Sequence, residues 1–229
     1  MELFLNGGGC GEAAQEAYRR FGGVIDRAKP LLYIPLAMEP EDYPSCLEWI
    51  TGELGSLGVG IRMARSGEEL AGLDFADYGG VFIGGGNTYT LLHRLKKGGL
   101  ARLRACLEGG GAVFGGSAGA IIFGADIDTC RYADENLVGL TDTQGLGLLG
   151  GVSLLCHYGN EGPEITQKHT GHLLGLSQAG RQIWALPEED TLILHGGGAE
   201  VVGSRPYAVF DRGGQSWRQP GEAVAWPGA

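Results

Sequence analysis

Residues 110–122 read Gly-Gly-Ala-Val-Phe-Gly-Gly-Ser-Ala-Gly-Ala-Ile-Ile, an apolar run that turns around a single serine, Ser117. Residues 112–114 suit a buried strand, and residues 118–123 suit a helix packed on the same sheet. The Gly-x-Ser-x-Gly spacing is typical of a nucleophile elbow, where only small neighbours let strand and helix approach closely. A serine that merely caps the helix is the alternative, since the chain holds 44 glycines. The stretch predicts an α/β fold with a candidate nucleophile at a strand end.

The rest of the chain alternates short apolar runs with longer amphipathic ones, which is typical of consecutive βα units and predicts a mostly parallel sheet between helices. Strands are predicted at Glu2 to Leu5, Leu31 to Leu36, Gly60 to Ala64, Gly80 to Ile83 and Val152 to His157. Helices are predicted at Glu12 to Phe21, Tyr43 to Leu57, Gly67 to Leu73, Thr90 to Lys97 and Leu100 to Leu107. Near the C-terminus, an antiparallel end is predicted from Ile183 to Leu186, Thr191 to Leu194 and a hairpin over Val201 to Val209.

Length and composition limit the class of protein. The 229 residues are enough for one α/β domain, 1–229, and the net charge of −10 disfavours nucleic acid or anionic membranes as partners. No apolar run reaches membrane-spanning length, and residues 1–20 lack the pattern of a secretory leader, which favours the cytoplasm. The five cysteines share no CxxC spacing, so we expect neither a disulfide framework nor a zinc site. A serine nucleophile requires no metal or organic cofactor, and we expect none. The oligomeric state stays open, with a homodimer as one candidate.

A second glycine-rich loop precedes the serine turn by one strand and helix. Residues 84–88 read Gly-Gly-Gly-Asn-Thr, and such a loop can cradle phosphate through its bare N–H groups. No phosphate-binding motif continues it, however, and loops after neighbouring parallel strands meet at one edge of the sheet. We therefore expect the N–H groups of Gly85, Gly86 and Ala118 to form an oxyanion hole beside Ser117.

A serine nucleophile needs a base, and His157 is the best placed of the five histidines because it ends an apolar run and opens a loop. His93 and His195 lie in predicted regular elements and suit structural roles. His169 and His172 have the i, i+3 spacing of metal ligands but lack nearby carboxylate or thiol partners. Three carboxylates could orient the imidazole. Glu188 lies at a predicted strand end, and Asp134 and Glu135 lie in the loop after the serine helix.

Four of these segments, in this order and spacing, carry a resemblance to a known family. Residues 82–88, 116–120, 156–158 and 186–188 are similar to the aspartyl dipeptidase (peptidase E) and cyanophycinase family of serine peptidases. The resemblance implies a fold related to class I glutamine amidotransferases. It also implies Ser117 as nucleophile, His157 as base and Glu188 as orienting acid, with Asp134 at the place of a further functional aspartate. The expected activity is hydrolysis of short peptides through an acyl-enzyme, with release of the amino-terminal residue.

The substrate of such an enzyme is expected to contact residues near these segments: Asn87, Thr88, Tyr158, Lys168 and His169. The resemblance implies a cation after the catalytic histidine that binds the side chain of an amino-terminal aspartate. Residues 161–169 hold two glutamates and no arginine, which leaves Lys168 and His169. Lysine fits a carboxylate less well than the bidentate arginine fork, so we expect only a mild preference for Asp-x over Asn-x or Met-x dipeptides.

Two functions from other classes stay open. An amidotransferase-like enzyme that transfers acyl groups would share the fold, but it normally carries a cysteine where this chain has Ser117. A non-catalytic module could hold a ligand over the glycine loops without using the serine. A serine-reactive phosphonate separates this module from a hydrolase, because only a hydrolase should form an adduct on Ser117.

Overall fold

The structure is a computed structural model that describes residues 1–222. The strands are β1 (Glu2–Asn6), β2 (Leu31–Ile34), β3 (Ile61–Met63), β4 (Gly80–Ile83), β5 (Ala112–Gly116), β6 (Val152–Leu155), β7 (Gln182–Ala185), β8 (Thr191–His195), β9 (Gly198–Val202), β10 (Tyr207–Asp211) and β11 (Gly214–Arg218). The helices are α1 (Gln15–Val24), α2 (Tyr43–Glu53), α3 (Gly67–Gly72), α4 (Thr88–Leu95), α5 (Gly99–Glu108), α6 (Ala118–Ile121) and α7 (Pro163–Gln178). Most predicted elements are present, with ends that differ by a few residues.

A seven-stranded sheet lies at the centre of the described structure, in the order β3-β2-β4-β5-β1-β8-β9. The first five strands in this order pair in parallel, whereas β8 and β9 are antiparallel. The predicted three-layer α/β fold, with a mostly parallel sheet and antiparallel C-terminal strands, is confirmed. Because β4, β5 and β1 are parallel neighbours, their carboxyl ends lie side by side, which is where open α/β sheets place their sites.

Both faces of this sheet are buried. On one face Phe82 and Phe4 stack on Phe114, with ring centroids 4.8 and 6.1 Å apart, and Tyr18 and Phe21 of α1 pack against the same ring. The other face buries aliphatic side chains of the same strands, among them Leu3, Leu5, Leu32, Ile34, Val81, Ile83 and Val113. Burial on both faces explains why the strands are continuously apolar rather than alternating.

A second sheet of four strands, in the order β11-β10-β7-β6, stands beside the first within residues 1–222. It packs on α7 through a small core that includes Leu173, Ile183 and Phe210. The hairpin predicted over Val201 to Val209 is wrong, because β9 pairs with β8 in the first sheet while β10 pairs with β7 and β11 in the second. The chain crosses between the two sheets at that point.

The described part of the chain contains no helix long and apolar enough to cross a membrane. Its longest helix is α7, of 16 residues. This helix holds the polar segment that was expected to supply cations to a substrate, so those side chains are fixed on a helical surface that packs on the second sheet.

Candidate active site

Ser117 stands at a strained turn between β5 and α6, with φ of 54° and ψ of −116°. A side chain at Gly115 would place its Cβ 2.2 Å from Gly119 O, and one at Gly119 would place it 2.5 Å from Ile83 O. Larger residues are therefore excluded on either side of the serine. The Ser117 N–H donates to Asn6 O at 3.0 Å. Its hydroxyl makes no capping bond to α6, so the alternative of a simple helix cap does not describe this serine.

The Ser117 hydroxyl instead contacts a histidine that is itself bound by a carboxylate. Ser117 Oγ lies 2.8 Å from His157 Nε2, and His157 Nδ1 lies 2.9 Å from Glu188 Oε1. With the Nδ1 proton donated to Glu188, Nε2 is free to accept the proton of the serine hydroxyl. The side chains of His157 and Glu188 are 33% and 40% exposed, so the chain of contacts opens to solvent at its acidic end.

His157 and Glu188 extend from the second sheet, since they follow β6 and β7, and the loop after β1 joins them to Ser117. The His157 N–H donates to Gly7 O at 2.8 Å, and the Gly9 N–H donates to Glu188 O at 3.0 Å. Gly8, at a φ of +116°, faces the imidazole ring itself. The site thus forms where the carboxyl ends of β1 and β5 in the first sheet lie near those of β6 and β7 in the second, with residues 7–9 between them.

Two asparagines complete this frame. Asn6 is buried; its carbonyl holds Ser117 and its side chain accepts the Gly8 N–H at 2.8 Å. Asn160 donates its N–H to His157 O at 3.1 Å and accepts the Glu188 N–H through its side chain at 3.0 Å. Sequence reasoning did not single out either asparagine or the role of residues 7–9. The signal that was available is the Asn-Gly-Gly-Gly run at a strand end, where glycine permits close backbone approach.

Asp190 pins the segment that carries Glu188. Its Oδ1 accepts the N–H groups of Ser204 and Arg205 at 3.1 and 3.2 Å, and its backbone carbonyl accepts the Gly7 N–H at 2.9 Å. The side chain is fully buried, and its Oδ2 has no hydrogen-bond partner among residues 1–222. Burial raises the pKa of Asp190 to about 6, because the ionised form loses its hydration and gains only two backbone donors.

Gly85 lies against the side chain of Ser117. A Cβ added at Gly85 would be 3.1 Å from Ser117 Cβ and 3.6 Å from Ser117 Oγ. In the described structure, no acceptor binds the N–H groups of Gly85, Gly86 and Ala118. Gly85 and Gly86 line the cavity at Ser117, and Ala118 follows the serine directly, so these free donors are the candidates for an oxyanion hole.

Asp134 makes no hydrogen bond to His157 within residues 1–222, where the Nδ1 atom of that histidine contacts Glu188. Its Oδ2 accepts the Thr88 N–H at 2.9 Å, at the start of α4. Asn87 is the neighbouring helix cap: its side chain accepts the Thr90 N–H at 2.9 Å and donates to Glu135 O at 2.8 Å. Asn87, Thr88 and Asp134 therefore fasten the loop after α6 to the loop after β4, and they are not found among the residues that line the cavity at Ser117.

The other predicted substrate-binding residues also lie away from that cavity. Tyr158 is buried in the small core against α7, and its hydroxyl is 2.7 Å from Thr170 Oγ1, because the turn at His157 directs it into the second sheet. Lys168 is 3.1 Å from Glu164, one helical turn away. His169 is buried, with Nε2 3.4 Å from Glu161 Oε2, and burial lowers its pKa. None of these three residues lines the cavity at Ser117, and their contact with substrate stays a prediction.

His172 and Cys156 are the side chains that bear on a metal site and on a thiol nucleophile as alternatives. His172 Nε2 lies 2.7 Å from Asp128 O, and no group of three metal-binding side chains forms within the described range. Cys156 is buried with its sulfur 3.5 Å from Ser117 O, and burial raises the pKa of its thiol. A thiol held in its protonated form is a poor nucleophile, so the candidate nucleophile at this turn is Ser117, whose hydroxyl contacts an imidazole.

A cavity of about 460 Å³ opens in front of Ser117. Apart from Ser117, His157 and the glycine loops, its walls are mainly aromatic or apolar side chains: Tyr18, Tyr33, Met38, Cys46, Trp49, Phe82 and Phe114. Burial raises the pKa of the Cys46 thiol and of the Tyr33 phenol, which keeps both neutral at pH 7. The volume is in the range of small-molecule sites, roughly 300–1,000 Å³.

Known proteins share both the sequence pattern and the fold. A peptidase E of Streptomyces coelicolor is 28% identical over 197 residues, 83% of this chain and 78% of that protein. An uncharacterized peptidase of Listeria monocytogenes is 30% identical over 188 residues, 78% of this chain and 87% of that protein. The crystal structure of a peptidase from an acI-B1 actinobacterium has a TM-score of 0.72 at 19% identity and covers 98% of this chain and 96% of that one. Residues 3–202 match Peptidase family S51. The resemblance to the peptidase E family is confirmed, and the chain belongs to peptidase family S51.

Proposed function

We propose that this chain is a serine peptidase that hydrolyses short peptides and releases their amino-terminal residue. The observation that carries the proposal is the continuous contact from Ser117 Oγ to His157 Nε2 and from His157 Nδ1 to Glu188. A serine hydroxyl has little nucleophilicity until a base is hydrogen-bonded to it, so this contact separates a nucleophile from an ordinary turn serine.

The first half of the reaction forms an acyl-enzyme. His157 Nε2 takes the hydroxyl proton as Ser117 Oγ attacks the peptide carbonyl carbon, and Glu188 supports the resulting imidazolium. The negative charge that develops on the carbonyl oxygen is stabilised by the N–H groups of Gly85, Gly86 and Ala118. The C–N bond then breaks, and His157 gives its proton to the leaving amine.

The second half returns the enzyme to its starting state. Water enters at the place of the departed amine, His157 takes one of its protons, and the hydroxide attacks the acyl carbon. The C–O bond to Ser117 breaks, and the serine regains its proton from His157. Each proton that moves in the two halves passes through His157 Nε2.

A library of dipeptides tests the proposal, with the released amino acids identified by mass spectrometry. The wild type should release the first residue from a subset of the library, and Ser117→Ala should release none above background. Ser177→Ala is a matched control, because that serine is buried in α7 and bonds only to Leu174 O. Equal activity of Ser117→Ala and wild type would overturn the proposal, and no binding-only module would show the wild-type activity.

A further inference from the structure

The cavity at Ser117 carries no charged wall. Of its lining residues within 1–222, none is lysine, arginine, aspartate or glutamate, and His157 is the base already described. Its walls include the buried rings of Phe82 and Phe114, which belong to the stack on the central sheet. A carboxylate placed here would lose its hydration without gaining a partner, which is strongly unfavourable.

This apolar wall adjoins the oxyanion donors. A Cβ added at Gly84 would be 2.9 Å from the Tyr33 hydroxyl, and one at Gly86 would be 2.7 Å from Met38 Sδ. In acyl transfer, the oxyanion belongs to the residue whose carbonyl carbon the serine attacks, here called the acyl residue. The wall formed by Tyr33, Met38 and the rings beyond them therefore faces the acyl residue.

Cations that could bind an acidic side chain are engaged elsewhere. Lys168 pairs with Glu164 on the surface of α7, and Arg205 lies 3.4 Å from Glu189. Arg131 pairs with Asp128 at 2.8 Å, and Arg181 lies 3.1 Å from Asp126. Arg94 is the cation beside the cavity wall, but its guanidinium donates to Met38 O and Leu36 O and pairs with Glu39 at 2.9 Å. None of these five cations lines the cavity, and each is bound by an acidic side chain outside it.

We infer that the cavity selects peptides whose acyl residue has an apolar, preferably aromatic, side chain, with Trp49 and Met38 as specificity-determining residues. This inference rests on the proposed function, since it names the substrate of the same serine. Trp49 contacts Phe82 edge-on, with centroids 6.3 Å apart, and is 39% exposed, so it forms the outer rim. Burying an aromatic side chain against Trp49 and Phe82 favours it over a carboxymethyl group by about 10- to 100-fold.

Two diphenyl phosphonates test the inference because they report on the acyl residue alone. One bears a benzyl side chain and the other a carboxymethyl side chain, and a small fluorophosphonate reports whether Ser117 is reactive at all. Second-order rate constants for labelling are measured for each. The benzyl compound should label the wild type at least about tenfold faster than the carboxymethyl compound.

Substitutions at the rim connect the preference to the named residues. Trp49→Ala should slow the benzyl compound by about tenfold and leave the carboxymethyl rate unchanged, because only the aromatic contact is lost. Trp217→Ala is the matched control: it removes a tryptophan that is 56% exposed on the second sheet, and both rates should stay at wild-type values. Met38→Arg should raise the carboxymethyl rate, since it places a guanidinium beside Gly86.

The outcomes separate the two claims. If the fluorophosphonate fails to label Ser117, the proposed function and this inference both fall. If it labels Ser117 but the benzyl compound has no advantage, the inference is wrong and the proposed function stands. Equal loss of both phosphonate rates in Trp49→Ala would also contradict it, because the tryptophan would then support the site without selecting the side chain.

Discussion

Gly8 lies directly against the imidazole ring of His157: a Cβ added at Gly8 would be 2.1 Å from His157 Cε1 and 2.5 Å from Nε2. Gly8, in the loop after β1, thus limits where the ring of His157 can lie, although the two residues are 149 positions apart in the sequence (157 − 8). No larger residue can stand there while Nε2 keeps its contact with Ser117 Oγ. The first loop of the fold is therefore part of the catalytic frame.

Gly8→Ala should lower kcat by about 100-fold or more, because even a 1 Å displacement of the base disrupts proton transfer. The matched control is Gly11→Ala, which also replaces a glycine at positive φ but has no atom within 4 Å of the added Cβ. That variant should keep most of its activity. Steady-state hydrolysis of one good dipeptide measures both, and equal losses would show that backbone strain, not the contact with His157, is responsible.

Ser117→Ala and His157→Ala should each lower kcat/KM by on the order of 10⁴-fold or more, because nucleophile and base act as one unit. The double variant should be no worse than either single one. Circular dichroism should show that the fold is kept, since both residues lie in loops at strand ends. A double variant far less active than both single variants would mean that the two residues contribute independently.

Glu188→Gln should cost about 10²- to 10⁴-fold in kcat, because the amide keeps the shape of the side chain but loses the charge that supports the imidazolium. Asp134→Asn should cost less: Asp134 contacts the Thr88 N–H, and an amide oxygen can still accept that bond. Rate measurements on the two purified variants decide the order. A larger loss for Asp134→Asn would remove Glu188 from the triad.

Asp190 predicts a pH dependence of stability. Its pKa rises from 3.8 in the unfolded chain to about 6 in the fold, so the native state binds the proton more tightly between these values. The contribution of Asp190 to the free energy of unfolding is therefore fully present below about pH 4 and is lost as the pH rises through about 6. The loss is about 3 kcal/mol, from a shift of about two pKa units at about 1.4 kcal/mol per unit.

Urea unfolding at pH 4, 5, 6 and 7 measures this effect by comparison of the wild type with Asp190→Asn. The amide cannot ionise and keeps an acceptor for the N–H groups of Ser204 and Arg205. The wild type should lose stability relative to the variant as the pH rises over that range. A difference that stays constant with pH would show that Asp190 does not titrate between 4 and 6 in the fold.

The parts of the fold that the sequence predicted well are those with a local signal. The apolar runs before Ser117 and Gly84 define buried parallel strands, and neighbouring strands bring their loops to one edge. The apolar runs before His157 and Glu188 also predict strand ends at these two residues, and the order of the motifs along the chain supports their assignment as base and orienting acid. His157 and Glu188 come together at Ser117 because β6 and β7 belong to a second sheet, and no local pattern in the sequence predicts that sheet.

The helix α7 was missed for a physical reason. Its sequence is interrupted by Gly171 and Gly175, which disfavour helix, and apart from Ile165 its large aliphatic residues lie in one short stretch around Leu173. Packing against the second sheet compensates for this weak propensity. Lys168 and His169, from which substrate contacts were expected, lie outside the cavity at Ser117, and they contact Glu164 on the helix and Glu161 just before it.

The central claim, that His157 activates Ser117 as the nucleophile, is tested most directly by the mass of the chain after reaction with a fluorophosphonate. One adduct should form on the wild type, on the proteolytic peptide that contains Ser117, and His157→Ala should form it far more slowly. An adduct on a different residue, or one that forms on Ser117→Ala at the wild-type rate, would contradict the account.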